Sequence, residues 1–302
     1  MLEYGFEQTT ILYCFMATIM LKNLKVISQD IKLKHTIFAL PFAIVGAFMA
    51  AGGIPEPKVL GLIVLAMFFA RSSAMAFNRI IDSDVDGRNK RTKGRAIPAG
   101  LISKRSYNVF MAVSTLCFFI TCFFINNLAL YLSPLALVVV CFYSYCKRFT
   151  AYAHLVLGIA LSIAPIGAWV AVNEEITLTS LLIGGAVMFW LAGFDILYSL
   201  QDMDFDKGEG LHSVPQTYGV ETSLFISRAC HILMVVLLLG VSFTYPVGNF
   251  YYAAVALCSV FLVYEQSLVK KDDLSKINLA FFNVNGFISI AFMILVILDT
   301  LF

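Results

Sequence analysis

The 302-residue sequence predicts an all-α, polytopic membrane protein, a bundle of about nine transmembrane helices with one polar end. Two observations carry this. Hydrophobic residues make up 60% of the chain and charged residues only 13%, with a mean hydropathy of +0.85, whereas a soluble domain carries about 25% charged residues. Apolar stretches of spanning length also recur along the whole chain, each near the ~20 residues that a bilayer core requires.

Taken in order, these stretches cover residues 35–54, 57–77, 107–126, 128–146, 152–173, 178–200, 222–245, 249–265 and 278–300. The connections at Asn126–Asn127 and Gly248 are the tightest. Residues 1–24 form an N-terminal extension, and residues 25–302 read as one transmembrane domain. Ile11 to Met20 is apolar but too short to span, and lacks the basic start and small-residue cleavage site of a signal peptide. Because Met20-Leu-Lys-Asn-Leu-Lys has the look of a membrane-protein start, residues 1–19 reflect either a mis-set start codon or a short interfacial helix. The seven cysteines fall in or beside apolar runs without a C-x-x-C pair, which makes them small packed residues.

Charge sets the orientation. Lys22, Lys25, Lys32 and Lys34 precede the first stretch, Arg79 to Arg105 fill the next loop on that side, and Lys147, Arg148, Lys207, Lys270, Lys271 and Lys276 follow. The opposite loops hold Lys58 and acids such as Glu174 and Glu175. The positive-inside bias places the N-terminus and the polar end in the cytoplasm, and the C-terminus outside. The net charge of +2 is localised in these loops rather than spread over a face, so nothing suits nucleic acid.

Two aspartate clusters interrupt the apolar pattern: Asn78-x-x-x-Asp82-x-x-x-Asp86, and Asp195-x-x-Tyr198-x-x-x-Asp202-x-x-x-Asp206. A carboxylate at the end of a spanning helix is costly unless paired or bound to metal. Steps of three and four place the members of each cluster on one helix face. Two facing sets of hard oxygens suit Mg²⁺, which bridges carboxylates to substrate phosphates. The clusters end the second and sixth stretches, an offset of four helices, and each precedes a loop with Gly and Pro, Arg95-Ala-Ile-Pro98-Ala-Gly100 and Gly210-Leu-His-Ser-Val-Pro215. Two four-helix halves and a ninth helix would bring them face to face.

The run Asn78-Arg-Ile-Ile-Asp82-Ser-Asp84-Val-Asp86-Gly-Arg88-Asn-Lys90-Arg91-Thr-Lys93-Gly-Arg95, with the second cluster behind it, resembles the UbiA superfamily of intramembrane aromatic prenyltransferases over residues 25–300. Gly193-Phe-Asp195-Ile-Leu-Tyr198-Ser-Leu-Gln201-Asp202 and His35-Thr-Ile-Phe-Ala-Leu-Pro41-Phe are most similar to its 4-hydroxybenzoate polyprenyltransferase branch. The resemblance implies a nine-helix bundle whose central cavity opens to lipid, sited in a bacterial inner membrane. It also implies Mg²⁺-dependent transfer of a polyprenyl chain from polyprenyl diphosphate to an aromatic acid, in ubiquinone synthesis or, with a dihydroxynaphthoate acceptor, in menaquinone synthesis. One departure is His212, where many relatives carry lysine in G-x-K-S.

The residues make chemical sense of that activity. Breaking an allylic C–O bond leaves a carbocation and a diphosphate with added negative charge. Asp82, Asp86, Asp202 and Asp206 are the candidate Mg²⁺ ligands. Asn78, Arg88, Lys90, Arg91, Lys93, Arg95, Lys147 and Arg148 are candidates for the diphosphate. Asp84 and Asp204 lie off the main face and read as interfacial acids. Asp195 sits about 10 Å deeper than Asp202, with Tyr198 on the same face and Arg71 at like depth on the second stretch. These three are candidates for handling the acceptor, with an Asp195–Arg71 ion pair as the structural alternative. His35 is a further candidate near the acceptor, whereas His231, Asn283 and Asn285 read as bonding between helices.

Two rivals fit less well. A CDP-alcohol phosphotransferase would carry a single D-G-x-x-A-R cluster, and Asp86-Gly87-Arg88 does not continue that way. A transporter would hold its acids near the midplane, whereas most of these lie at the cytoplasmic edge.

Overall fold

The computed structural model describes residues 23–31 and 39–302. Within them the chain is helical, with a short helix α1 (residues 23–30) and α2 (Leu40–Ala51) followed by α3 (Pro57–Arg88), α4 (Lys104–Ile125), α5 (Asn127–Cys146), α6 (Ala153–Asn173) and α7 (Leu178–Ser199). A 3₁₀ turn (Leu200–Asp202) then leads to α8 (Met203–Gly208), α9 (Val214–Val241), α10 (Asn249–Leu268), a π-helix (Leu279–Val284) and α11 (Asn285–Leu301). Eight described helices are long and apolar enough to cross a membrane, and α2 is a shorter apolar helix. The count agrees with the bundle of about nine, although the first stretch yields only 12 described helical residues.

Most boundaries follow capping chemistry. Ser103, Asn126, Thr177 and Ser213 each accept the backbone N–H three residues on, satisfying a donor that a helix start leaves free. Asn126 alone separates α4 from α5, and its amide also donates to Val170 O on α6 at 2.7 Å. That tight connection is therefore a cap shared by three helices. The apolar stretch at 222–245 becomes a helix from Val214 to Val241, started early by Ser213 and Pro215 and broken at Gly219, whose φ of 79° suits glycine.

The two aspartate clusters differ in backbone. α3 does not end at residue 77. It runs 32 residues, about 48 Å, well past a ~30 Å hydrocarbon core, and presents Asn78, Asp82 and Asp86 on one continuous helix. The second cluster departs from a single helix face: α7 stops at Ser199, Asp202 ends the 3₁₀ turn, and Asp206 lies on α8. Gln201 Nε2 donates to Tyr198 O at 2.9 Å, so a side chain competes for a carbonyl of the ladder where the helix tightens.

The helices close in a ring, with neighbours α3–α4, α5–α6, α6–α7, α7–α9 and α10–α11, and with α2 lodged against α6 and α11. Phe42, Trp190 and Phe292 form the aromatic centre, at 5.0 Å (Phe42–Trp190) and 5.6 Å (Phe42–Phe292). Small residues allow the closest crossings. A Cβ on Gly158 would strike the backbone carbonyl of Met188, so α6 and α7 touch main chain to main chain. Polar links also cross the bundle interior. Trp190 Nε1 donates to Asn285 Oδ1 at 2.8 Å, and Asn285 Nδ2 to Glu265 Oε1 at 2.6 Å and to Ala280 O in the π-helix. Asn285 thus bonds between helices, whereas Asn283 is exposed.

Candidate active site

A cavity of about 730 Å³ opens between α3, α5, α6 and α7, mostly apolar in its depth apart from Arg71 and Asp195, and polar at the end where both aspartate clusters lie. Asp82 and Asp86 from α3, Asp195 from α7, and Asp202 and Asp206 from the chain following α7 all line it, together with Arg71, Asn78, Tyr198, Arg91, Arg95, Lys147 and Arg148.

Each carboxylate at the polar end faces a cation. Asp82 Oδ1 lies 3.0 Å from Arg148 NH2, and Asp86 Oδ2 is 2.5 Å from Arg95 NH1. Asp202 is gripped bidentately by Arg91, Nε to Oδ1 at 3.0 Å and NH2 to Oδ2 at 2.6 Å. Lys147 Nζ stands 3.6 Å from Asp206 Oδ2, an oxygen that is buried without a hydrogen-bond donor. The Arg91–Asp202 pair crosses the site, since Arg91 belongs to the loop after the first cluster and Asp202 to the second. The segment behind α8 docks onto the same place, where His212 N donates to Lys147 O at 2.7 Å. Outside the helices, the guanidinium of Arg91 loses hydration on burial, but its bonds to Asp202 outweigh this and hold its pKa above the ordinary value.

Asn78 acts as a relay. Its Oδ1 accepts from Arg79 NH1 at 3.0 Å and its Nδ2 donates to Asp82 Oδ2 at 2.7 Å. Arg79 is in turn bound by Asp30 of α1, Nε to Oδ2 at 3.2 Å, and the Asp30 carboxylate also accepts from Ala96 N and Tyr107 OH. Asp30 so ties the basic loop to α1, α3 and α4. It lies before the first apolar stretch, among mixed polar residues, where spacing gives no signal.

The remaining candidates divide. Arg88 pairs with Glu209 at 2.7 Å on the surface, and Arg88, Lys90 and Lys93 are exposed and do not line the cavity. The steps of the loop turn these side chains outward and Arg91 and Arg95 inward. Asp84 is bound by Lys104 at 3.3 Å on the outer side of α3, and Asp204 is exposed. His35 lies outside the described residues. Tyr198 stacks on Phe281 of the π-helix, ring centroids 4.0 Å apart, with the Arg91 guanidinium 5.7 Å from its centroid. Asp195 is bound by His154 of α6, Nδ1 to Oδ2 at 2.7 Å, and among the described residues this replaces the Asp195–Arg71 ion pair. His154 is a lone histidine in an apolar run, without a spacing that marks it.

The profile of the UbiA prenyltransferase family matches residues 39–290. The chain is 31% identical over 247 residues to the 4-hydroxybenzoate octaprenyltransferase of Aliivibrio fischeri (strain MJ11), covering 81% of this chain and 86% of that protein. A UbiA homolog from Aeropyrum pernix K1, solved in its apo form, is 33% identical and superposes with a TM-score of 0.81 over 89% of this chain and 99% of its own. A UbiA homolog from Archaeoglobus fulgidus bound to GPP and Mg²⁺ shares the fold at 20% identity, with a TM-score of 0.70 over 91% of this chain and 99% of its own. With eight described helices of membrane length and a cavity capped by two aspartate clusters, this integral membrane protein belongs to the UbiA prenyltransferase family and is a prenyltransferase.

Proposed function

We propose that this protein transfers a polyprenyl chain from polyprenyl diphosphate to the ring of a 4-hydroxybenzoate-like aromatic acid, with Mg²⁺, in ubiquinone synthesis. The observation that carries this is the convergence of both aspartate clusters, cross-paired with cations, on the single polar end of an apolar cavity. The name of the Aliivibrio relative supports the acceptor class. Residues 25–302 act as one unit in a bacterial inner membrane. The polar end faces the cytoplasm, as supported by the lysines and arginines crowded around it.

With the ion pairs closed, no three acidic side chains among the described residues are grouped tightly enough to hold an ion, but the donor chemistry suits a hard cation. Asp82, Asp86, Asp202 and Asp206 offer carboxylate oxygens only, and one of them, Asp206 Oδ2, is buried without a hydrogen-bond donor. Those four would hold Mg²⁺, which when bound supplies positive charge to the departing diphosphate. Four carboxylates meet four cations here, so the resting site is nearly neutral. Opening the pairs frees Arg91, Arg95, Lys147 and Arg148 to take phosphate oxygens and to stabilise the charge that grows as the allylic C–O bond breaks.

The prenyl chain lies along the apolar depth of the cavity, where water is excluded from the carbocation. Tyr198, backed by Phe281, presents a π face beside it. Arg71, deeper on α3, grips the carboxylate of the acceptor, and Asp195 takes the proton that the ring loses.

The test is a transfer assay. Purified protein is incubated with labelled polyprenyl diphosphate, MgCl₂ and either 4-hydroxybenzoate or a dihydroxynaphthoate. Prenylated 4-hydroxybenzoate that disappears with EDTA is expected. Product from dihydroxynaphthoate alone would assign the menaquinone branch, and full activity in EDTA would remove the metal from the mechanism.

A further inference from the structure

Asp195 is not held alone. His154, at the start of α6, is 1% exposed and stands behind Asp195, away from the cavity, while the Asp195 side chain is 21% exposed toward it. The second ring nitrogen of His154, Nε2, faces the backbone N–H of Val214, the first residue of α9, at 3.4 Å. A backbone N–H can only donate, so Nε2 accepts and the proton of a neutral imidazole sits on Nδ1, directed at Asp195. A doubly protonated ring would set Nε2–H against Val214 N–H, two donors facing each other. Val214 is fixed in turn by the Ser213 cap and by Pro215 in the first turn of α9.

We propose that His154 is a positioning residue for proton removal from the acceptor ring. It binds one oxygen of Asp195, so that the other oxygen faces the cavity as an anionic proton acceptor. This rests on the assignment of Asp195 above. In the step itself the allylic C–O bond breaks with its electron pair leaving on the diphosphate, and the ring carbon forms the new C–C bond. The proton on that carbon then passes to the free oxygen of Asp195, and the C–H electron pair restores aromaticity. The Nδ1 proton of His154 stays in place throughout. His154 offers no exit path for the proton, because Nε2 is closed by a main-chain donor.

Two substitutions separate this role from packing. His154→Gln keeps the polarity of the site, since its amide N–H can donate to Asp195 while its carbonyl accepts from Val214. His154→Leu keeps the volume and loses both bonds. In the full-length protein with Mg²⁺, His154→Leu is expected to lower the rate of coupling to 4-hydroxybenzoate on the order of 100-fold, the low end of what a positioned proton acceptor contributes. The KM for polyprenyl diphosphate and its slow acceptor-independent hydrolysis should stay within about twofold of wild type, because both depend on the polar cap. His154→Gln should recover most of the coupling rate. Equal coupling in wild type and His154→Leu would overturn the proposal, as would a folded His154→Gln protein that couples no better than His154→Leu. If His154→Leu does not fold, the glutamine variant decides alone: coupling kept supports the role, and coupling lost overturns it. A wild type that prenylates no aromatic acid yet still hydrolyses the diphosphate would refute the acceptor assignment instead.

Discussion

The basic loop after the first aspartate cluster offers five cations of similar sequence prominence, and the structure separates them sharply enough to test. Arg91 makes two charge-assisted bonds to Asp202, at 3.0 and 2.6 Å, and lines the cavity. Arg88 makes its bond to Glu209 on the surface and does not. Arg91→Gln leaves Asp202, whose side chain is 9% exposed, without its counterion. With Arg91 itself 37% exposed and partly screened, the stability loss is at the modest end, about 1–2 kcal/mol. The larger effect is on turnover. Removing one preorganised donor from a developing negative charge costs about 3 kcal/mol, and at about 1.4 kcal/mol per tenfold that is a roughly 100-fold drop in kcat. Arg88→Gln should stay within about threefold of wild type, because an exposed pair contributes little and no donor is lost from the cavity. Initial rates at saturating acceptor, for variants matched in thermal midpoint, provide the comparison. Equal losses in Arg88→Gln and Arg91→Gln would mean that the loop binds by its summed charge, and the partition drawn from the geometry would be wrong.

Asp82→Ala, Asp86→Ala, Asp202→Ala and Asp206→Ala should each abolish most transfer while the protein remains folded, whereas Asp84→Ala, on the outer side of α3, should cost far less; transfer assays over a Mg²⁺ titration check both. Gly158→Ala places a Cβ against Met188 O and should destabilise the protein by about 1–3 kcal/mol, measured as a lower thermal midpoint in detergent. The same change pries α6 from α7 between His154 and Asp195, so coupling to the acceptor should fall more than diphosphate hydrolysis. Asn285→Leu strips partners from Trp190 and Glu265 inside the bundle and should lower the thermal midpoint, by about 1–2 kcal/mol per lost bond at most; unchanged stability would show that the buried network is slack.

Much of this architecture is written in local chemistry. Spanning helices announce themselves by length and apolarity, and the spacing of Asp82, Asp86, Asp202 and Asp206 marks four carboxylates that do line one cavity end. Where the outcome differs, particular side-chain and backbone contacts, some local and some distant in sequence, decide. The second cluster leaves the helix face because Gln201 competes for a carbonyl, and Asp195 takes His154 rather than Arg71 because α6 crosses α7 at Gly158, close enough for a short side-chain bond. Arg88 and Arg91 carry the same charge three residues apart, and only the turn of the loop sends one outward. Asp30 and His154 are single polar residues without periodic partners, so pattern alone cannot raise them above background.

The Asp30 clamp also bears on the order in which the protein is made. Asp30 belongs to the earliest described helix, yet its partners Arg79, Ala96 and Tyr107 follow it by 49, 66 and 77 residues. Until α3 and α4 are in place, the partners that Asp30 has in the folded protein are missing. Only after α3 and α4 have inserted with the intervening loop on the same side can Arg79 and the loop close over it. The clamp therefore ties topology to folding: an inverted α3–α4 hairpin would leave Asp30 and Arg79 on opposite sides of the bilayer, and the contacts that join α1, α3, α4 and the basic loop could not form.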